Sequence, residues 1–366
     1  EHGPRKHTLP MNENIYTTTL PSGMKLVVQR AATAGVYLGI ALACGTRHER
    51  PEESGMAHFT EHMSFKGTAR RTALQIISRL EGVGGELNAY TGKEETVYYA
   101  AVEPRHLRRA IDLLTDIVFH STYPQAEMEK EVEVVCDEIE SYNDSPSELI
   151  FDDFDALVFG TEHPLGRSVL GNADILRRHT HDDMAAFARR GYRPEQACMF
   201  IYGDVENVEK FVNVENVEKF VNVENIVNIE NVENIDNTVV IDKSLHQAHL
   251  MLGTRTVGMK HPDRLTLQLI NNILGGPGMN SRLNLSLRER HGLVYTVESN
   301  YTGYTDTGVW SIYLGCDHDD VRRCRRLAMH ELDRLCQSPL RPSALAAAKR
   351  QMLGQLTLSY DQHESM

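Results

Sequence analysis

The chain runs twice through one order of elements, and that order limits its fold more than any other feature. In the first pass an apolar strand, "GVYLGIALACG" (35–45), leads through a turn to "AHFTEHM" (57–63) and then to a helix, "ALQIISRLEGVG" (73–84). A β-rich stretch (85–104), an amphipathic helix (105–120) and an acidic helix opened by Pro124 (125–142) follow. In the second pass the strand "AHLMLGTR" (248–255) leads to a helix (264–276) and the segment 280–292. A β-rich stretch (293–316), a helix (319–336) and a last helix opened by Pro342 complete it. Apolar residues alternate in the strands and recur at i, i+3 and i+4 in the helices. The repeat is far longer than a solenoid period, so it predicts a duplicated α+β domain. Each copy is expected to be an antiparallel sheet with helices packed on it.

The expected division is a disordered tail at 1–13, a first domain at 14–205, a linker at 206–239 and a second domain at 240–366. With 366 residues, the chain is too long for one ordinary core. The linker repeats "NVEKFVNVE" identically at 207–215 and 216–224 and continues in Asn, Val, Ile, Glu and Asp. Such low complexity assigns it no role beyond connection. After Tyr142 the first copy continues for about 60 residues, whereas only "DQHESM" follows Tyr360. The second domain is therefore expected to be truncated at its C-terminal end.

Charge narrows the function classes. The net charge of −13 argues against nucleic acid, which needs a basic face. No apolar run reaches the roughly 18 residues of a membrane span, and the first 20 residues hold no apolar signal-peptide core. The six cysteines form no close pair, which suits free thiols in a reducing compartment.

The chemistry concentrates in "HFTEH". On a helix His58 and His62, at i and i+4, share one face, with Glu61 beside them. Two imidazoles on one turn can hold a zinc ion, and a neighbouring carboxylate can take a proton from a bound water. The inverted order His-x-x-Glu-His is a zinc-peptidase signature. Only the first copy has these side chains, because "LINNI" (269–273) stands where "HFTEH" stands. A third ligand must come from another element, and the acidic helix 125–142 offers seven carboxylates. Glu131 and Glu138, two turns apart, share a face that also includes Val134 and Val135. Spacing alone does not choose between the two glutamates.

"GMAHFTEHMSFKGT", "GGELNAYTGKEETVYYA" and "EVEVVCDEI" together resemble the pitrilysin/insulysin superfamily of zinc peptidases, in its branch of mitochondrial processing peptidases and their bacterial relatives. The resemblance covers about residues 14–205 and 240–360. It implies His58, His62 and Glu138 as ligands of one Zn2+ per chain and Glu61 as general base. It implies Glu131 as an outer carboxylate, and Asn88 and Ala89 on an edge strand beside the substrate. "SLRERHGLVYTV" is similar to a family segment whose Arg and Tyr, here Arg288 and Tyr295, help bind substrate and the oxyanion. By pattern alone Asn88 is a turn residue, Arg288 a helix-surface residue and Tyr295 a core strand residue.

The resemblance further implies half of a clamshell chamber that takes unfolded peptides, completed by a second copy as a homodimer or by a degenerate homologue as a heterodimer. A bacterial cytoplasm is the expected compartment, with the mitochondrial matrix as the alternative. The rival class is a non-catalytic scaffold subunit of the same fold. Such subunits lose parts of the motif, and this chain keeps His58, Glu61, His62 and Glu138.

Overall fold

The computed structural model describes residues 15–208, 211–212, 238–243 and 245–361. The 1–13 tail and most of the 206–239 linker lie outside the described residues. The chain forms two compact units, one of residues 1–144 and 161–230, the other of 145–160 and 231–366. Both mix helices and sheet, as the duplication predicts.

Among the described residues, the first unit is built on six strands: β1 (Ile15–Thr19), β2 (Lys25–Arg30), β3 (Val36–Leu42), β4 (Glu86–Thr91), β5 (Thr96–Val102) and β6 (Ala197–Gly203). Their spatial order is β1-β2-β6-β3-β5-β4. The expectation of an antiparallel sheet needs one correction, because β2 and β6 pair in parallel. The two strands are joined by a long crossover that carries most of the unit's helices, as a parallel pair requires. The registers Val28↔Ile201, Leu38↔Ile201 and Leu38↔Ala100 line up a buried row. Onto this face packs α3 (Leu107–Phe119), which buries Ala110, Ile111, Leu114, Ile117 and Val118 at helical spacing. The short helix α1 (Met56–Ser64) packs against both the edge strand β4 and α4 (Gln125–Asn143).

An ion cluster around a buried aspartate ties α3 to the segment that precedes α2 (Ala73–Glu81). Asp116 on α3, fully buried, accepts from Thr68 Oγ1 at 2.7 Å and from Arg70 Nε at 3.0 Å, and it pairs with Arg71. Burial opposes its ionisation, but these donors outweigh burial and hold the carboxyl below its ordinary range. A depressed carboxylate stabilises the fold above its unfolded pKa of about 3.9 and loses that contribution as pH falls through the folded value. Asp116→Ala therefore costs about 1–3 kcal/mol at pH 7, where Thr68 and Arg71 lose a buried acceptor while both arginines keep Asp112. Urea unfolding at pH 7 and in acid checks this. The gap between parent and variant closes below about pH 4, and a gap that is the same in acid would sink the idea.

Among the described residues, the second unit has three antiparallel strands, β7 (Ala248–Thr256), β8 (Val294–Gly303) and β9 (Gly308–Cys316), in the order β7-β9-β8. This repeats the β3-β5-β4 order of the first unit. Helix α8 (Arg264–Gly275) packs on β8 as α1 packs on β4, which makes the "LINNI" segment the counterpart of "HFTEH". Asn271 there bonds Ser299 and Trp310. The core joins Leu274, Leu287, Ile312 and Leu314 to Cys324 and Ala328 of α9 (Val321–Gln337). The last helix, α10 (Pro342–Asp361), follows.

One helix of the expected 14–205 stretch groups with the second unit. α5 (Pro146–Phe159) packs on β7 and belongs to the second unit. Its Phe151 lies 5.3 Å from the Tyr313 ring, and Arg255 stacks over Phe159 at 4.9 Å while donating to the Val158 carbonyl at 3.0 Å. The apolar side of α5 finds its partner surface on the later sheet. Two further helices, α6 (Ala173–Leu176) and α7 (His181–Gly191), return the chain to β6.

Candidate metal centre

The site begins with the entry to α1. Gly55 precedes the helix at φ 88°, and a Cβ there would lie 2.9 Å from the Leu170 carbonyl, so glycine is required. The first amides of the helix lack intrahelical acceptors. The buried carboxylate of Glu49 supplies them, accepting from Gly55 N at 3.1 Å and Ala57 N at 2.7 Å. Burial pushes the Glu49 carboxyl up to about 8, an effect these two amides reduce.

Along α1 the i, i+4 spacing does what the sequence predicts. The rings of His58 and His62 lie 4.6 Å apart at 74°. From α4, Glu138 Oε2 comes within 3.8 Å of His58 Nε2 and 3.6 Å of His62 Nε2. One ligand atom from each of the three residues lies within 4.8 Å of the others. Bonds of about 2.0–2.1 Å in a tetrahedron place ligand atoms roughly 3.4 Å apart, close to what is found here. The donor chemistry fits as well. Burial pushes His58 down to about 4, with the His62 charge adding to it, so its ring is neutral and can offer a lone pair. Its other nitrogen, Nδ1, is buried without a hydrogen-bond partner among the described residues. These side chains could hold a zinc-sized ion.

Glu131 takes a different place. Its Oε1 is 3.0 Å from His62 Nδ1, and Lys66 Nζ donates to Oε2 at 2.6 Å. Burial disfavours the Glu131 anion, yet the bonds and charges of His62 and Lys66 outweigh it and lower its pKa. In His62 burial is likewise outweighed by the three surrounding carboxylates, which raise its pKa. A carboxylate on the far nitrogen fixes the tautomer and orientation of an imidazole. The wheel of α4 explains the division of labour. Met128, Val135 and Ile139 centre the buried arc, Glu131 and Glu138 lie at its margin, and Val134 falls outside it, 50% exposed, against the expectation that it shares the buried seam.

Glu61 is buried beside this group. Thr91 Oγ1 on β4 donates to its Oε2 at 2.6 Å. Burial is the main influence on the carboxyl and raises its pKa, with the nearby Glu138 charge adding to the rise. Asn88 and Ala89 lie on β4, which pairs only with β5 among the described residues, so Asn88 is a strand residue and not a turn residue. Asn88 Oδ1 accepts from the Ala89 amide at 2.9 Å.

Arg288 and Tyr295 belong to the second unit. Arg288 is exposed in a π-helical turn (Asn284–Glu289), where the pattern predicts an ordinary helix. Tyr295 is the extra residue of a β-bulge between Val294 and Thr296, and it is 63% exposed rather than in a core. A bulge turns a side chain out of the alternation of its strand.

Three residues of the site escaped the sequence reading. Thr91 reads only as a strand residue, and the sheet alone brings it to Glu61. Glu49 lies in the loop before α1 with no spacing signal. Lys66 stands four residues after His62, a helical spacing that does point to the same side.

Comparison with known proteins places the whole. Residues 25–173 match Insulinase (Peptidase family M16), and residues 178–352 match the Peptidase M16 inactive domain. An uncharacterized zinc protease of Bacillus subtilis is 33% identical over 350 residues, which cover 95% of this chain and 85% of that one. One from Streptomyces coelicolor is 32% identical, with 99% and 79% covered. A peptidase M16 inactive domain structure from Pseudomonas fluorescens superposes with a TM-score of 0.85 at 22% identity, covering 93% of this chain and 84% of that one. A protease structure from Helicobacter pylori also gives 0.85 at 21% identity, with 94% and 85% covered, and both support the fold. A duplicated α+β fold, a His-His-Glu group and these relatives define a metallopeptidase. The chain belongs to peptidase family M16.

Proposed function

We propose that the chain is a zinc metalloendopeptidase that hydrolyses unfolded peptides or protein segments. The observation that carries this is the convergence of His58, His62 and Glu138 with Glu61 buried beside them. A storage site has no need of Glu61. His58 Nε2, His62 Nε2 and a Glu138 oxygen would hold one Zn2+ per chain, with Glu131 orienting His62. When bound, the ion supplies a Lewis acid that lowers the pKa of water toward about 7.

Glu61 takes the water proton at Oε1, the oxygen that Thr91 leaves open, and passes it to the leaving amine. The raised pKa of its carboxyl suits a group that must both accept and release a proton. The open side of β4, at Asn88 and Ala89, binds the substrate main chain by strand addition, which selects extended segments over folded ones. The phenol of Tyr295 and the guanidinium of Arg288 donate to substrate and oxyanion. A homodimer encloses the substrate, since this chain carries both the metal motif and the segment with Arg288 and Tyr295. A bacterial cytoplasm suits the bacterial relatives.

Digestion of a mixed set of unstructured peptides beside a folded protein tests the reading. Cleavage of the peptides alone is expected, and preferential attack on the folded protein would contradict it. Tyr295→Phe lowers kcat by roughly 10²–10³ with little change in KM, the usual cost of losing one oxyanion donor. An unchanged kcat removes Tyr295 from the mechanism.

A further inference from the structure

Between α2 and α3 lies an open cavity of about 410 Å³, lined by Arg70, Arg71, Gln75, Ser78, Arg79 and Arg109. No residue assigned to hydrolysis lines it. Four of the six lining residues are arginines and none is acidic, in a chain whose net charge is −13. Helical spacing gathers these groups. Gln75, Ser78 and Arg79 stand at i, i+3 and i+4 on α2, and Arg109 shares a face of α3 with Asp112 and Asp116.

The four guanidiniums are unequally served. Arg70 and Arg71 each pair with both Asp112 and Asp116. Arg79 reaches only Asp112, at 3.6 Å, and its Nε is buried with no hydrogen-bond partner among the described residues. Arg109 donates from Nη1 to the Arg79 carbonyl at 3.3 Å and has no ion pair among the described residues. Both of these side chains are half-buried. Two carboxylates therefore face four guanidiniums, and two positive charges remain over, on groups partly withdrawn from water. Polar groups in that position ordinarily have partners.

We propose that this cavity binds a small phosphate-bearing anion, held by Arg79 and Arg109. A phosphate group carries nearly two negative charges at neutral pH, which matches the excess. The planar fork of a guanidinium meets phosphate oxygens in pairs, and Gln75 and Ser78 add neutral donors. The volume falls within the roughly 300–1,000 Å³ of small-molecule sites. No aromatic side chain lines the cavity, so a nucleobase finds nothing to stack on and the phosphate itself is what is recognised. Extended polyanions are disfavoured, because the strongly negative chain repels them while a bounded cavity admits a small ion. The proposal does not depend on the zinc reading.

Calorimetric titration with pyrophosphate tests it. The parent binds pyrophosphate at one site per chain, and the affinity weakens as sodium chloride is raised. The double variant Arg79→Gln, Arg109→Gln binds it at least about ten-fold more weakly, the scale of losing charged hydrogen bonds. Its peptide hydrolysis and melting temperature without pyrophosphate stay near the parental values. The pair Arg79→Lys, Arg109→Lys keeps the charge and the fold but not the forks, and it weakens binding less than the glutamine pair does. A parent that takes up no pyrophosphate overturns the proposal. So does parental affinity in the glutamine pair, which places the anion elsewhere on the chain. If the glutamine pair does not fold, parental affinity in the lysine pair overturns it in the same way. Sedimentation with phosphatidylglycerol vesicles that the variants lose would make the site a membrane contact and overturn the small-anion reading.

Discussion

Glu61→Gln leaves zinc bound at the parental level and lowers peptide hydrolysis by a factor of about 10²–10⁴, the range for losing a positioned general base. The amide has the size and shape of the carboxylate, and its oxygen can still accept from the Thr91 hydroxyl that holds Glu61 in place. The buried setting that raises the Glu61 pKa is kinder to a neutral amide than to an anion, so the fold does not suffer. What disappears is the only function assigned to Glu61, the taking and giving of a proton. Zinc content by elemental analysis and steady-state hydrolysis of an unstructured peptide measure the two quantities separately. Retained turnover removes Glu61 as the base, and lost zinc makes it part of the metal-holding set.

Glu138→Ala behaves in the opposite way, losing zinc and hydrolysis together. Its carboxylate completes the three-residue group with His58 and His62, whereas Glu131 of the same helix bonds the far nitrogen of His62. Loss of a ligand weakens zinc by more than the roughly 10–100-fold that loss of an outer partner costs. Glu138 is also the clean residue to remove, since its side chain is 46% exposed and its truncation opens no cavity. His58→Ala should give the same loss of zinc, but His58 is buried and its removal also disturbs the core. Zinc titration and thermal melting of both variants separate these effects. A Glu138→Ala protein that binds zinc as the parent does rules out Glu138 as a ligand.

The parts of this protein legible in its sequence are those governed by local periods. The i, i+4 histidines, the wheel of α4 and the alternation of β7 and β9 each follow from a few neighbouring residues. The repeated order of elements carried further, because β3-β5-β4 and β7-β9-β8 do share one arrangement. What the periods do not contain is partner choice across long stretches of chain. The parallel pairing of β2 with β6 joins Lys25–Arg30 to Ala197–Gly203, and the helix at Pro146–Phe159 joins the second unit through aromatic contacts with residues past 250. Strands β1 and β2 and helices α5 to α7 give weak local signals and take their places from such contacts. At the site, spacing leaves Glu131 and Glu138 equivalent. They separate only because α1 presents the Nε2 atoms of both histidines to one and Nδ1 of His62 to the other. Tyr295 fits a buried strand pattern, and the bulge that turns it outward is a defect in register that no alternation reveals.

The central claim is that one zinc ion, held by His58, His62 and Glu138, serves peptide hydrolysis. Its most direct test is to strip the protein with a chelator, then restore zinc in steps while following hydrolysis of an unstructured peptide. The account predicts no hydrolysis in the stripped protein, a rise in proportion to added zinc, and a plateau at one equivalent per chain. Hydrolysis that survives stripping, or that zinc restores equally in His62→Ala, would contradict it.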